Sequence, residues 1–224
     1  MINQNYLKKK LAEKAIKYIP YGSVLGIGTG STINFFINEL KKIQNKVSFI
    51  ISSSHISTEK MSSLNIPVNH IQTELPEIDI YIDSADEINS SFQMIKGGGG
   101  ALTKEKIIAT FAKKFFCIID HSKEVKNLGS FPVAVEVIPI AKNLVIKELK
   151  KIGGISKLRK DFITDNGNII IDVYDLNINN PKKIESYINK ITGVVENGIF
   201  AYRSADMVLV STPNGVLKKE QIIY

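Results

Sequence analysis

The sequence predicts an α/β chain: a mostly parallel sheet with helices on both faces, plus a smaller ferredoxin-like α+β domain. Three observations predict it. Short apolar runs alternate with amphipathic stretches through the first half, as in successive βα units. Near Gly129 the order changes to strand-helix-strand-strand-helix-strand, the split βαβ arrangement. A strong apolar run, Met207 to Val210, is expected to return to the first sheet. The expected division is residues 1–128 with 204–224, and residues 129–203. A chain of 224 residues suits one large domain with a companion.

The elements follow in order. Leu7, Leu11, Ala15 and Ile19 recur at helical spacing, predicting a helix from Gln4 to Ile19. Ser23 to Ile27 reads as a buried strand. GIGTGST leads from it into a helix carrying Ile33, Phe36, Ile37 and Leu40. Val47 to Ile51 is a second strand, and SSSHISTEKMSSL a third helix. Val68 to Ile71 and Ile78 to Ile82 read as further strands. Gly97 to Gly100 precede a helix from Thr103 to Lys114, followed by a strand from Phe115 to Ile119. In the second domain, Val133 to Ile138 reads as a strand and Ala141 to Lys151 as a helix stopped by Gly153-Gly154. TDNGN joins strands Ile155 to Leu158 and Ile169 to Val173 as a hairpin. Pro181 opens a helix to Lys190. Val194 to Phe200 reads as one last strand.

Composition narrows the function. No apolar run approaches bilayer-spanning length, which argues against a membrane role. The N-terminal stretch interleaves lysines with apolar residues and reads as a helix, not a signal peptide. Cys117 is the single cysteine and lies in an apolar run, so it is expected to be buried and inert, and the cytoplasm is the expected compartment. The net charge is +7, but only Arg159 and Arg203 among the 29 basic residues are arginines. Arginine is the residue suited to base and phosphate forks. The scattered lysines therefore read as a solvated surface that steers anions, not as a nucleic-acid interface. His55, His70 and His121 are far apart in sequence and Cys117 has no cysteine partner, so no metal is expected, and no cofactor.

Two stretches concentrate chemistry. GIGTGST, residues 26–32, is not a dinucleotide fingerprint, because Ser31 stands where the third glycine belongs. It also lacks the G-K-[ST] of a Walker loop. Thr29, Gly30, Ser31 and Thr32 at a helix start form either a tight capped turn or an anion cradle. DSADEINSSFQMIKGGGGALTKE, residues 83–105, is more specific. Asp83 and Asp86 fall at a strand's carboxyl end, where open α/β sheets bind ligands. Lys96 precedes Gly97, Gly98, Gly99 and Gly100. Four glycines carry a large backbone-entropy cost, so their ordering needs a reason such as close approach to a ligand. Glu105 falls near a helix start, where the dipole favours an ionised carboxylate. Glu87 reads as part of a solvated loop. Lys123, in DHSK after the strand FFCII, is either a surface lysine or an anion contact.

These residues resemble the A-type ribose-5-phosphate isomerase family. GIGTGST, DSADEI, KGGGGALTKEKI, IDHSK, VEVIP, TDNGN and GVVENGIF occur in the family's order and approximate spacing, from about residue 20 to 210. The resemblance implies a Rossmann-like domain plus a ferredoxin-like domain, as a homodimer or dimer of dimers. It implies metal-free interconversion of D-ribose 5-phosphate and D-ribulose 5-phosphate through an enediol, in the pentose phosphate pathway. Carried over by position, Thr29 to Thr32, Asp83, Ser84, Ala85, Asp86, Lys96 to Gly99 and Lys123 bind substrate. Glu105 is the general base, and Asp83, Asp86 and Lys96 join it in catalysis. Two departures stand out. Ser84 replaces a glycine usual in the family, and would be strained if that position needs positive φ. His121 stands where an acidic residue is common.

Other readings fit less well. An amino-sugar phosphate deaminase would need an active-site histidine, and no motif position holds one. A sugar-phosphate sensor usually carries a DNA-binding module, for which the roughly 20 residues before the first strand are few, and it need not keep Glu105. A purely structural interaction module leaves the strand-end cluster unexplained.

Overall fold

The computed structural model describes residues 4–69 and 76–221. Along the chain the elements are α1 (Gln4–Ala15), β1 (Ser23–Ile27), α2 (Ser31–Leu40), β2 (Val47–Ser52), α3 (His55–Ser63) and β3 (Ile78–Asp83). Then come β4 (Glu87–Ile88), β5 (Met94–Ile95), α4 (Leu102–Phe111), β6 (Ala112–Asp120), β7 (Val133–Val137) and α5 (Lys142–Lys151). The remainder is β8 (Ile155–Leu158), β9 (Ile169–Tyr174), α6 (Pro181–Asn189), β10 (Val194–Asn197), β11 (Ile199–Phe200), β12 (Met207–Thr212) and β13 (Gly215–Glu220).

The chain divides into two compact units. One holds residues 1–85, 107–123 and 205–224; the other holds residues 86–106 and 124–204. The expected boundaries assign 86–106, 124–128 and residue 204 to the first domain. The difference arises because β5 pairs with β11, a strand of the second unit, and β4 pairs in turn with β5.

In the first unit, the sheet order is β13-β12-β6-β3-β1-β2. The pairs β2–β1, β1–β3, β3–β6 and β6–β12 are parallel, and β13 closes one edge antiparallel. Parallel strands covered on both faces need apolar residues in both directions. SVLGI, IDIYID and MVLVST supply them, and flanking helices cover the sheet. Helix α1 turns to 3₁₀ geometry over Ile16–Tyr18 instead of running to Ile19. Helix α4 ends at Phe111, and β6 begins at once with Ala112, three residues before the expected strand. Pro67 to Asn69 are not in a strand; the rest of the expected Val68 to Ile71 strand lies outside the described residues.

In the second unit a four-stranded antiparallel sheet runs β10-β7-β9-β8. Strand β7, VAVEV, is buried on both sides. Val133, Val135 and Val137 point into a core shared with Val145 and Leu149 of α5 and Ile188 of α6. Alternation sends Ala134 to the opposite face, where it packs with Leu102 and Ile170. The start of α4 therefore rests on that face. Residues 194–200 are not one strand but two. Gly198 separates them, donating to Ala134 O at 2.8 Å while its own carbonyl accepts from Lys96 N–H at 2.9 Å. A Cβ at 198 would stand 2.1 Å from Lys96 O, so glycine is required where the chain changes sheet.

Candidate active site

The two units present different candidate residues. In the first, the carboxyl ends of β1 and β3 lie side by side, with Ile27 opposite Ile82. The chain leaving β1 continues the pairing, as Gly28 N–H donates to Ile82 O at 2.8 Å. This register brings Thr29 to Asp83. The Asp83 carboxylate is fully buried. Its Oδ1 accepts from the N–H groups of Thr29 (3.1 Å) and Ser84 (2.7 Å), and its Oδ2 from the Tyr81 hydroxyl. A buried carboxylate demands such donors.

Glycines in GIGTGST have internal causes. A Cβ at Gly28 would lie 2.0 Å from Asp83 Cγ, and one at Gly26 would lie 2.5 Å from Ile108 Cγ2. Gly30 caps α2 at φ 109°, a conformation natural to glycine. Ser31 and Thr32 begin the helix, Ser31 exposed and Thr32 buried. Ser84 does not have positive φ, so the strain anticipated for it does not arise. Its hydroxyl instead reaches Thr29 O at 3.4 Å. Ala85 is buried beside it. Lys123 sits half-buried in a short 3₁₀ turn after β6. His121, in the same turn, is exposed.

In the second unit, β5 delivers Lys96 and the first turn of α4 delivers Glu105. Lys96 Nζ stands 3.2 Å from Glu105 Oε2, and each side chain is only 3 % exposed. Lys96 Nζ also lies 5.5 Å from the Phe200 ring centre. Removing two charges from water costs several kcal/mol per ion, so such a pair is poor evidence for stability and better evidence for chemistry. Between the two residues runs the glycine loop. Asp86 Oδ2 accepts the Gly98 N–H at 2.9 Å. Gly97 and Gly100 have φ of 110° and 77°. A Cβ would meet Ala134 at Gly97, Asp86 at Gly98 and the Phe162 ring at Gly100. Gly98 and Gly99 are the exposed members.

Glu87 corrects the reading of a solvated loop. It is buried, and accepts N–H bonds from Gly129 at 2.8 Å and Phe131 at 2.6 Å. Three further residues, not singled out in the sequence, bond to predicted residues or beside them within their own units. Glu136, fully buried, accepts from Thr164, Asn166 and Asn168 of TDNGN and from Thr103, two residues before Glu105. The charged member of VEVIP is thus the acceptor that the TDNGN donors lacked. Arg159 holds the carbonyls of Gly97 and Gly98. Lys8 of α1 donates to Ser31 Oγ at 2.8 Å and puts a cation beside the α2 start. Among the described residues, no group of three or more His, Cys, Asp or Glu is placed to hold a metal ion.

A largely parallel α/β sheet with a buried lysine–carboxylate pair and an exposed glycine loop defines a class of small-molecule enzyme. The family follows from comparison. The family model for ribose 5-phosphate isomerase A (phosphoriboisomerase A) matches residues 49–215, and the chain belongs to that family. It is similar to the crystal structure of ribose 5 phosphate isomerase A from Neisseria gonorrhoeae: 46 % identity, all of both chains covered, TM-score 0.95. The Methanocaldococcus jannaschii enzyme is similar at 40 % identity, with 98 % of this chain and 100 % of that one covered and a TM-score of 0.90. A D-ribose-5-phosphate isomerase in complex with phospho-erythronic acid matches at 39 % identity, with the same coverage and a TM-score of 0.91.

Proposed function

We propose that this protein interconverts D-ribose 5-phosphate and D-ribulose 5-phosphate through an enediolate, as a step of the non-oxidative pentose phosphate pathway. The buried Lys96–Glu105 pair carries the reading. Isomerising an aldose requires a base that takes the C2 proton and returns it to C1, and a cation or donor for the oxygen that becomes negative. Glu105 takes the proton. The C2–H electrons form the C1=C2 bond, and the C1 carbonyl oxygen becomes the oxyanion. Lys96 and N–H groups of the Gly97 to Gly99 loop stabilise that charge. Transfer of the O2 proton to O1 and delivery of the abstracted proton to C1 complete the ketose.

Asp83 and Asp86 are the proposed partners of the sugar hydroxyls. Both Asp83 oxygens already accept protein donors, whereas Asp86 uses Oδ2 on Gly98. Asp86 is therefore the better acid–base partner for opening the ring. Thr29, Gly30, Ser31 and Thr32 offer a helix N-terminus to the phosphate, with Lys8 alongside and Lys123 as a second cation. The relative bound to phospho-erythronic acid supports this ligand class, since that compound combines a phosphate with a carboxylate.

Running the reaction in D₂O tests the route. Exchange of solvent deuterium into C1 of ribulose 5-phosphate is expected, because a proton carried by a carboxylate exchanges with water. A product carrying the substrate's C2 hydrogen at C1 quantitatively would point to direct hydride transfer and overturn the enediolate reading.

A further inference from the structure

We propose that Arg159 is the positioning residue of the glycine loop: held by Asp172, it fixes the Gly97 and Gly98 carbonyls and so aims the Gly99 N–H at the oxyanion. The inference rests on the isomerase reading above.

The geometry is a fork used from both sides. Arg159 Nε donates to Asp172 Oδ2 at 2.9 Å, and Nη2 donates to Asp172 Oδ1 at 2.5 Å. This planar, two-point pairing fixes the guanidinium's orientation. The remaining nitrogen, Nη1, donates to Gly97 O at 3.1 Å and Gly98 O at 3.3 Å. Asp172 lies within β9, between neighbours β7 and β8, so the loop is tied to a sheet and not to another loop.

Peptide planarity turns these carbonyl contacts into control of the amides. In a trans peptide the C=O and N–H point in opposite directions. The 97–98 peptide is pinned at both ends, its carbonyl by Arg159 and its N–H by Asp86. The 98–99 peptide has its carbonyl on Arg159, which turns the exposed Gly99 N–H the other way. Among the described residues, no group accepts that N–H. Phe162 steadies the far end of the quartet. Its ring lies 5.3 Å under the Arg159 guanidinium and fills the space a Cβ at Gly100 would need. Four successive glycines have little conformational preference of their own, so the orientation must come from outside the loop. Arg159 acts through backbone groups, and its charge is matched by Asp172. It is therefore a positioning residue, not a catalytic one.

The test compares two ligands on Arg159→Met. Phospho-erythronic acid carries a carboxylate, the negative charge that an enediolate also develops; ribitol 5-phosphate lacks it. Calorimetric titration gives affinity and active fraction together. The acid should bind at least about tenfold more weakly, while ribitol 5-phosphate stays within about threefold at unchanged stoichiometry. The kcat should fall about 10²-fold, the scale of a small misplacement of a reacting group. Arg159→Lys keeps the charge but cannot span Asp172 and both carbonyls, so its kcat should stay well below the parent's. Parent-like kcat in Arg159→Met, or equal weakening of both ligands, would overturn the proposal. Should that variant fail to unfold cooperatively, Asp172→Asn decides by the same two titrations, with a smaller change in the same direction expected. An inactive parent would instead sink the isomerase reading, which separates the two failures.

Discussion

Glu105 and Lys96 enclose a charge pair in a site almost closed to water. Glu105→Gln removes the proposed base and keeps the shape. Its kcat should fall by roughly 10²–10⁴-fold with little change in ribose 5-phosphate affinity, measured by coupled assay and titration. Gly28→Ala tests the companion strand end. The new Cβ would fall 2.0 Å from Asp83 Cγ, so the variant should lose about 1–3 kcal/mol in urea unfolding and most of its activity. Strand-end position and local spacing are what single out Asp83, Asp86, Lys96 and Glu105 in the sequence: each sits at or near the end of an element. Glu87 was not legible. Its partners are backbone amides of Gly129 and Phe131, distant in sequence and of no special residue type. Glu87→Ala would orphan both amides, at about 1–3 kcal/mol each, in the same unfolding measurement.

Elements were read where their period or apolar run is long. The parallel strands β1, β2, β3, β6 and β12 are each built on a short, largely apolar run and were read within a few residues of their bounds. Strands β4 and β5 have two residues each, too short to show a period, and β13 is an edge strand rich in charge. The break at Gly198 was hidden in an apolar run, because close approach of Lys96 O causes it. Within β3, Asp79 ties two strands together. Its carboxylate accepts the Val24 N–H at 2.9 Å and pairs with Lys113. The Val24 N–H first, then Lys113, hold its carboxyl below the ordinary 3.8. A depressed carboxylate stabilises the fold above its unfolded pKa and loses that contribution as pH falls through the folded value. The Asp79 side chain is more than a third exposed, so screening keeps the effect small, under about 1 kcal/mol. Asp79→Asn should therefore be less stable than the parent at pH 7 in urea titrations. The two should converge in acid below the ordinary carboxylate value.

At the scale of the molecule, charge and architecture meet. A net charge of +7, almost all from lysine, should draw a doubly charged sugar phosphate. The kcat/KM should fall as salt shortens the screening length, while kcat holds. Among the described residues no helix is long and apolar enough to cross a membrane. The α/β class was readable because alternation of element types is a whole-chain pattern. The allotment of residues 86–106 was not, because strand pairing across long sequence separation assigns it. The central claim is isomerisation carried by Glu105 without a metal. Its most direct test is conversion of ribose 5-phosphate to ribulose 5-phosphate by the purified protein, with and without a chelator, beside Glu105→Gln. Turnover unchanged by chelation and lost in the variant is the predicted result. Turnover that chelation abolishes, or that Glu105→Gln retains, would contradict it.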